Sequence, residues 1–144
     1  MATRKYNLNK KVDNVGSVNL LYITSSICEN DWISALHSHP FTEVFFIKSG
    51  EGSMIVNDLE IKVGQNDLVV INPLVQHTEI SKKDMPLDYY VIGIENLNVR
   101  DKNGDSSHTV LHFSNDSFTV KDSFTNILFE MQSKDQGYED ICQN

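Results

Sequence analysis

Two histidines one residue apart, a carboxylate four residues later and a third histidine further along are side chains that can bind a metal ion. They are His37, His39, Glu43 and His77, in the stretches HSHPFTE and PLVQH. Three imidazoles and a carboxylate suit Zn, Fe, Mn, Ni or Cu and leave coordination positions open for water or a ligand. The sequence therefore indicates a candidate metal centre.

The same side chains also suit a pocket without a metal, because imidazoles and carboxylates form hydrogen bonds with sugar hydroxyls and with organic acids. Phe41, Phe45 and Trp32 are aromatic residues able to stack on a sugar ring. We expect Phe45 to belong to the core and Phe41 to join the four polar residues as a ligand-binding residue. Of the two interpretations, the sequence favours the pocket without a cofactor, and it predicts no catalytic residue.

The elements that must position these residues are short strands. From residue 18 to residue 113, β-rich runs alternate with Gly, Pro, Asn and Asp turns, which predicts a sandwich or barrel. The predicted strands lie in VNLLYITSSI, WISALHSH, EVFFIKSGEG, SMIVNDLEIKV, DLVVINP, HTEI, LDYYVIGIE and TVLHF. The fourth run contains a hairpin that turns at Asn57 and Asp58. Either Tyr89 or Tyr90 is expected to place its hydroxyl inside the barrel.

Strand alternation predicts how the candidate ligands meet. His37, His39 and Glu43 are odd-numbered, so a continuous strand would place them on one face, with Pro40 as a bend or bulge. His77 heads a later strand and would complete the set from across the barrel. His108 and His112 lie in or near the last strand and are interpreted as structural or surface residues.

After residue 113 the apolar pattern acquires the period of a helix. The stripe consists of Phe124, Ile127, Leu128 and Met131. Asp122 or Ser123 is predicted as the N-cap of this helix. The apolar face of the helix is predicted to contact the barrel, to form a dimer interface, or both. After Gly137, the residues YEDICQN are interpreted as the first turn of a second helix, which leads us to expect that the intact protein continues further.

Composition narrows the possible functions. The chain has 144 residues, of which 40% are hydrophobic, and predicts one globular domain. A net charge of −8 is unfavourable for binding nucleic acid directly. Cys28 and Cys142 are far apart, which argues against a disulfide scaffold or a thiolate zinc site. Without a signal peptide or an apolar run near ~18 residues, the sequence predicts a soluble, cytoplasmic protein that does not contact membranes.

Two stretches resemble the motifs of the cupin superfamily. HSHPFTEVFFIKSG is similar to H-x-H-x3-E-x6-G, and GQNDLVVINPLVQH is similar to G-x-x-D-x5-P-x3-H. The resemblance covers residues 18 to 96 and implies a mainly β fold, with a double-stranded β-helix (jelly-roll) barrel in residues 1–113 and a helical segment in residues 114–144. The second motif departs from that of cupin enzymes, because no glycine lies between Pro73 and His77, and this counts against a catalytic metal site.

A narrower resemblance is to the N-terminal domain of AraC-type transcription regulators, in which a cupin barrel precedes dimerisation helices and a helix-turn-helix DNA-binding domain. It implies a homodimeric, non-enzymatic sensor of a sugar or another small polar metabolite. DNA would then bind only through a domain that this chain lacks. The alternatives are a metal-dependent cupin enzyme, such as a dioxygenase, isomerase or epimerase, in which Glu43 is the fourth ligand, and a binding module without a regulatory partner.

Overall fold

The computed structural model describes residues 2–7, 18–28, 35–99, 107–113, 121–123, 125–126, 129 and 138–141. These residues form ten strands: β1 (Ala2–Asn7), β2 (Asn19–Cys28), β3 (Thr42–Ser49), β4 (Glu51–Val56), β5 (Leu59–Gly64), β6 (Asp67–Ile71), β7 (His77–Ser81), β8 (Leu87–Glu95), β9 (His108–His112) and β10 (Tyr138–Ile141). Residues 121–123, 125–126 and 129 are helical. The mainly β class predicted from the sequence is confirmed.

The strands pair into two antiparallel sheets. The large sheet has the order β10-β1-β2-β8-β3-β6-β9, and the small sheet has the order β5-β4-β7. Strands β3 and β8, which are distant in the sequence, are neighbours, and β2 lies on the other side of β8. The sheets face each other as in a jelly roll, which agrees with the predicted barrel.

Strand alternation divides the apolar side chains of the large sheet between its two faces. The inner face contributes residues such as Phe45 and Val91, which pack with Met54 and Val56 of the small sheet. The outer face carries a second cluster of apolar residues. Its buried members are Ile23, Phe46, Tyr90 and Ile92.

The predicted hairpin is confirmed. Strands β4 and β5 pair from Glu51↔Gly64 to Val56↔Leu59. The two residues between them, Asn57 and Asp58, have φ values of 47° and 68°. Asn and Asp adopt this left-handed conformation more readily than other non-glycine residues, and two such residues in succession are typical of the turns that join β-hairpins.

Two expectations about the elements were wrong. WISALHSH does not form a strand within the described residues 35–39; only His37 makes an isolated bridge. Pro40 lacks the N–H group that a ladder requires, and the strand begins only at Thr42. Tyr138–Ile141 is a strand paired with β1 and not a helical turn. In this second case, pairing with a strand from the other end of the chain decides the structure.

The helix predicted after residue 113 is present in part. It begins no later than Lys121, so that Asp122 and Ser123 lie within it and do not cap it. Thr125 Oγ1 lies 3.3 Å from the hydroxyl of Tyr90 on the outer face of the large sheet. The predicted stripe of Phe124, Ile127, Leu128 and Met131 lies outside the described residues. Within the part of the chain that the structure describes, no helix is long and apolar enough to cross a membrane.

Candidate metal centre

The four candidate ligands come from three places in the chain. His37 and His39 lie in the segment before β3, Glu43 is the second residue of β3, and His77 is the first residue of β7. The segment is joined to β7 by two backbone hydrogen bonds, from His37 N to His77 O (3.0 Å) and from His77 N to His37 O (2.9 Å). A further bond runs from Leu74 N to His39 O (2.7 Å). The backbone around the histidines is thus held without a continuous strand.

The structure brings the four side chains together. One ligand atom from each of His37, His39, Glu43 and His77 lies within 4.8 Å of the others. Oε1 of Glu43 is 2.8 Å from Nε2 of His77 and 3.3 Å from Nε2 of His39. His77 and Glu43 are buried, with exposed fractions of 1% and 6%, whereas His37 and His39 are half-buried. The cluster is therefore accessible to solvent on the side of His37 and His39.

The outer ring nitrogens of two histidines are fixed by the backbone. Nδ1 of His37 lies 2.6 Å from the carbonyl oxygen of Ala35, and Nδ1 of His77 lies 2.9 Å from that of Val75. Because a carbonyl oxygen only accepts hydrogen bonds, each Nδ1 must carry the hydrogen and donate it. The neutral form of each ring then has its lone pair on Nε2. A backbone carbonyl that fixes the tautomer in this way is characteristic of metal-binding histidines.

The two oxygens of Glu43 have different partners. Oε2 accepts a hydrogen bond of 2.5 Å from the Tyr22 hydroxyl, and Oε1 faces His39 and His77. Glu43 can thus present Oε1 to a metal while Oε2 stays with Tyr22. Sequence reasoning missed Tyr22, because no local pattern connects it to a residue 21 positions away on a non-adjacent strand.

Residues 28–93 match the family model of the cupin domain. The barrel is thus similar to a cupin domain and has the cupin-type jelly-roll fold. Among solved structures, YhaK from Escherichia coli is similar with a TM-score of 0.64 and 13% identity over 77% of this chain, which spans 51% of that protein. The plu4264 protein from Photorhabdus luminescens is similar with a TM-score of 0.50 and 19% identity, covering 71% of this chain and 76% of that protein. At these identities the likeness concerns the fold. Comparison with curated protein sequences finds no significant match.

At Glu43 and His77, hydrogen bonds outweigh burial in their effect on the pKa. Burial opposes ionisation of Glu43, but hydrogen bonds from His39 and His77 lower its pKa well below the usual range. Burial likewise opposes protonation of His77, but its hydrogen bond to Glu43 raises its pKa. Burial, together with the Glu43 charge, raises the pKa of Tyr22 far above its usual value. Without a metal, Glu43 and His77 therefore form a buried ion pair to which Tyr22 donates as a neutral hydroxyl.

The aromatic residues around the site have structural contacts. Phe41 stacks on His39 with ring centroids 4.9 Å apart and presents an edge contact to Tyr22 at 5.6 Å. Phe45 is buried in the core, as expected, and its ring centroid lies 6.0 Å from that of His77. Trp32 lies outside the described residues. Phe41 thus supports His39 from one side, and its predicted contact with a ligand stays a prediction.

The remaining residues considered from the sequence are two tyrosines and two histidines. Tyr89 faces the barrel interior, where its hydroxyl lies 3.3 Å from Sγ of Cys28, whereas Tyr90 faces outwards. His108 and His112 lie on β9, outside the site, and His112 contacts Asp67 at 2.6 Å. Both histidines therefore have the structural or surface positions that the sequence suggested.

The turn before His77 forms without the glycine that cupin enzymes tend to have there. Leu74 adopts φ = 66°, in the left-handed region, and its N–H group bonds to His39. A non-glycine residue in this conformation costs about 1–2 kcal/mol. The departure from the motif therefore costs energy, but the turn still brings His77 into the cluster.

The donor set fits a divalent transition metal. Its members are three imidazole nitrogens, which suit Zn, Fe and Ni, and one carboxylate oxygen, which also suits Mn. The convergence of the ligand atoms, the fixed tautomers of His37 and His77 and the buried anion at Glu43 all agree with this assignment.

Proposed function

We propose that this cupin domain is the small-molecule sensor of an AraC-type transcription regulator, and that a divalent transition metal at His37, His39, Glu43 and His77 holds its effector. The observation that carries the proposal is the cluster of ligand atoms within 4.8 Å, with Nδ1 of two histidines engaged by backbone carbonyls. The metal would act there as a Lewis acid that binds an oxygen atom of a sugar or another small polar metabolite.

The chain's own residues perform the rest of the recognition. His37 and His39 form the accessible side of the cluster, so an effector would approach past them, whereas His77 and Glu43 are buried behind. Phe41 keeps the His39 ring in place by stacking. Tyr22 keeps the Glu43 carboxylate in place by its hydrogen bond. A rigid arrangement of this kind lowers the entropy lost when a ligand binds.

The position of the helix supports a sensing role. Tyr90, whose hydroxyl contacts Thr125, and Gly93, which lies beside Tyr22, are three residues apart on β8. One strand thus connects the candidate site on the inner face with the helix on the outer face. An effector with different affinities for two positions of that helix would shift the equilibrium between them, typically by 1–3 kcal/mol of coupling. A homodimer and a DNA-binding domain beyond this chain are parts of the same proposal.

The first test measures metal content by elemental analysis of protein purified without a histidine tag. We expect about one transition metal per chain in the wild type, and its loss in His77→Ala. His108→Ala is the matched control, since it removes a histidine outside the cluster, and it should keep the metal. A wild-type protein that neither contains nor takes up Zn, Fe, Mn or Ni would contradict the metal centre.

The second test is a thermal-shift screen of the metal-loaded protein with sugars and organic acids. A ligand at 100 times its Kd should stabilise the protein by ~2.7 kcal/mol. Stabilisation by one ligand class, absent in His77→Ala, would support the sensor. A metal-loaded protein that responds to none would contradict it.

A second candidate is a metal-dependent cupin enzyme, which would use the same four residues. The observation in its favour is the half-buried pair His37 and His39, which leaves one side of the cluster open to a substrate. Mass spectrometry distinguishes the two candidates. Recovery of an unchanged ligand after long incubation with the metal-loaded protein supports the sensor, whereas a product that requires His77 supports the enzyme.

A further inference from the structure

We infer that Tyr22 is the positioning residue of the metal centre: its hydroxyl holds Oε2 of Glu43 so that only Oε1 faces the three histidines. The inference rests on the metal centre proposed above. It concerns a residue outside both sequence motifs, and its basis is the geometry of three adjacent strands.

The strand register places Tyr22 and Glu43 in one row across the large sheet. Tyr22 on β2 pairs with Gly93 on β8, and Gly93 pairs in turn with Glu43 on β3. All three residues are therefore on the inner face, with Gly93 between the other two. Strands are spaced about 4.8 Å apart, so Tyr22 and Glu43 are separated by two strand spacings. Only a long side chain can cover that distance.

Gly93 makes the crossing possible. A Cβ atom on Gly93 would lie 2.3 Å from Cε1 and 2.7 Å from Cζ of Tyr22. Real side chains do not approach so closely, so any other residue at position 93 would displace the ring. The tyrosine thus lies over the bare backbone of β8 and reaches the carboxylate with a hydrogen bond of 2.5 Å. The need for a glycine here follows from the packing of the ring.

The surroundings keep Tyr22 in the role of a donor. Its side chain is buried, and the ring is held from the side by the edge contact with Phe41. Oε2 of Glu43 accepts this hydrogen bond while Oε1 lies near His39 and His77. Without the hydroxyl, the carboxylate could rotate or offer both oxygens. Outer residues that orient a ligand in this manner commonly contribute a factor of about 10–100 to metal affinity.

The experiment titrates chelator-treated protein with Co²⁺, whose visible absorption reports the ligand geometry. Tyr22→Phe removes only the hydroxyl, and we expect a loss of affinity of about 10- to 100-fold together with a changed absorption spectrum. Tyr89→Phe is the matched control, because it removes another buried hydroxyl from the same face, which lies near Cys28. It should leave both the affinity and the spectrum unchanged.

Two more variants test the route by which Tyr22 acts. Gly93→Ala keeps the hydroxyl but displaces the ring, and it should reproduce the spectral change of Tyr22→Phe. In a Glu43→Gln background, adding Tyr22→Phe should alter the remaining Co²⁺ affinity by less than about twofold, since independent effects would instead add. Circular dichroism of every variant checks that the fold is retained.

These experiments distinguish a wrong metal centre from a wrong role for Tyr22. If the wild type does not bind Co²⁺, the metal centre itself is wrong. If the wild type binds Co²⁺ and Tyr22→Phe has the affinity and spectrum of Tyr89→Phe, the metal centre stands and the role of Tyr22 is overturned. A full additional loss from Tyr22→Phe in the Glu43→Gln background would also overturn it.

Discussion

Two tyrosines on the inner face of the barrel have similar burial and very different surroundings. Tyr22 and Tyr89 have exposed fractions of 8% and 4%. Tyr22 donates to the carboxylate of Glu43 within a charged cluster, whereas Tyr89 lies beside the thiol of Cys28. Tyr89 pairs on β8 with Ser26, four residues along β2 from Tyr22. One end of the barrel is thus organised for ligand chemistry, and the other for packing.

Because of this difference, the two ends of the barrel are expected to contribute differently to stability and to metal binding. Buried ion pairs contribute little net stability, because desolvation of the charges offsets their attraction. Tightly packed aliphatic groups contribute a larger and more dependable amount. We therefore expect truncation of packed aliphatic side chains at the Tyr89 end to lower the free energy of unfolding most, and substitutions at the Tyr22 end to lower metal affinity most.

The largest effect on stability is expected for Leu87→Ala. Leu87 is 1% exposed and packs against Gly52 of the small sheet. Removing a buried leucine side chain typically costs about 2–5 kcal/mol. Urea unfolding should show this loss, while Co²⁺ affinity under native conditions stays within about twofold of wild type, because independent distant sites do not couple. A large loss of affinity would show that the two ends are coupled.

The complementary variant is Glu43→Gln. It keeps the shape of the side chain but removes the negative charge that faces His39 and His77. We expect Co²⁺ affinity to fall by more than the roughly 100-fold upper value for an outer residue. Isothermal titration with Co²⁺ measures the change, with Glu51→Gln as the control. Glu51 is an exposed glutamate in an ion pair with Lys82. An affinity equal to that of the control would remove Glu43 from the ligand set.

What the sequence could predict depends on whether a feature is local or arises from the pairing of distant strands. The hairpin at Asn57 and Asp58 and the convergence of the four candidate ligands were predictable, because turn chemistry and motif spacing are local. The Tyr22–Glu43 contact was not, since it depends on the order in which distant strands pair and on the absence of a side chain at Gly93. Strand β10 was missed for the same reason, because its partner β1 lies at the other end of the chain.

The ion pair at the Tyr22 end should make the metal-free protein sensitive to pH. The pKa of Glu43 is lowered by folding, so its contribution is present above the unfolded value of about 4.3 and is lost as the pH falls. The pKa of His77 is raised by folding, so its contribution is present below about 6.5 and is lost as the pH rises. The pair therefore stabilises the protein most between about pH 4.3 and pH 6.5.

Urea unfolding of chelator-treated protein between pH 4 and pH 9 checks this window. Other titratable groups near the pair are His37, His39, Tyr22 and Glu79. His77→Gln removes the histidine alone, and its stability should change less than that of the wild type between pH 6.5 and pH 8.5. Parallel curves for the two proteins over that range would contradict the assignment of a raised pKa to His77.

The smallest effect is expected for Tyr89→Phe, which sharpens the comparison of the two tyrosines. The variant loses a hydrogen bond of 3.3 Å to Cys28, and sulfur is a weak partner. Hydrogen bonds of ordinary strength contribute about 0.5–1.5 kcal/mol, so the loss on urea unfolding should lie at or below the lower value. Tyr22→Phe leaves a buried carboxylate oxygen without its donor and should cost more, about 1–3 kcal/mol in the metal-free protein. Equal losses for the two variants would mean that the Tyr22 hydroxyl stabilises the carboxylate no more than the Tyr89 hydroxyl stabilises the thiol. The two ends of the barrel would then differ less than their geometry indicates.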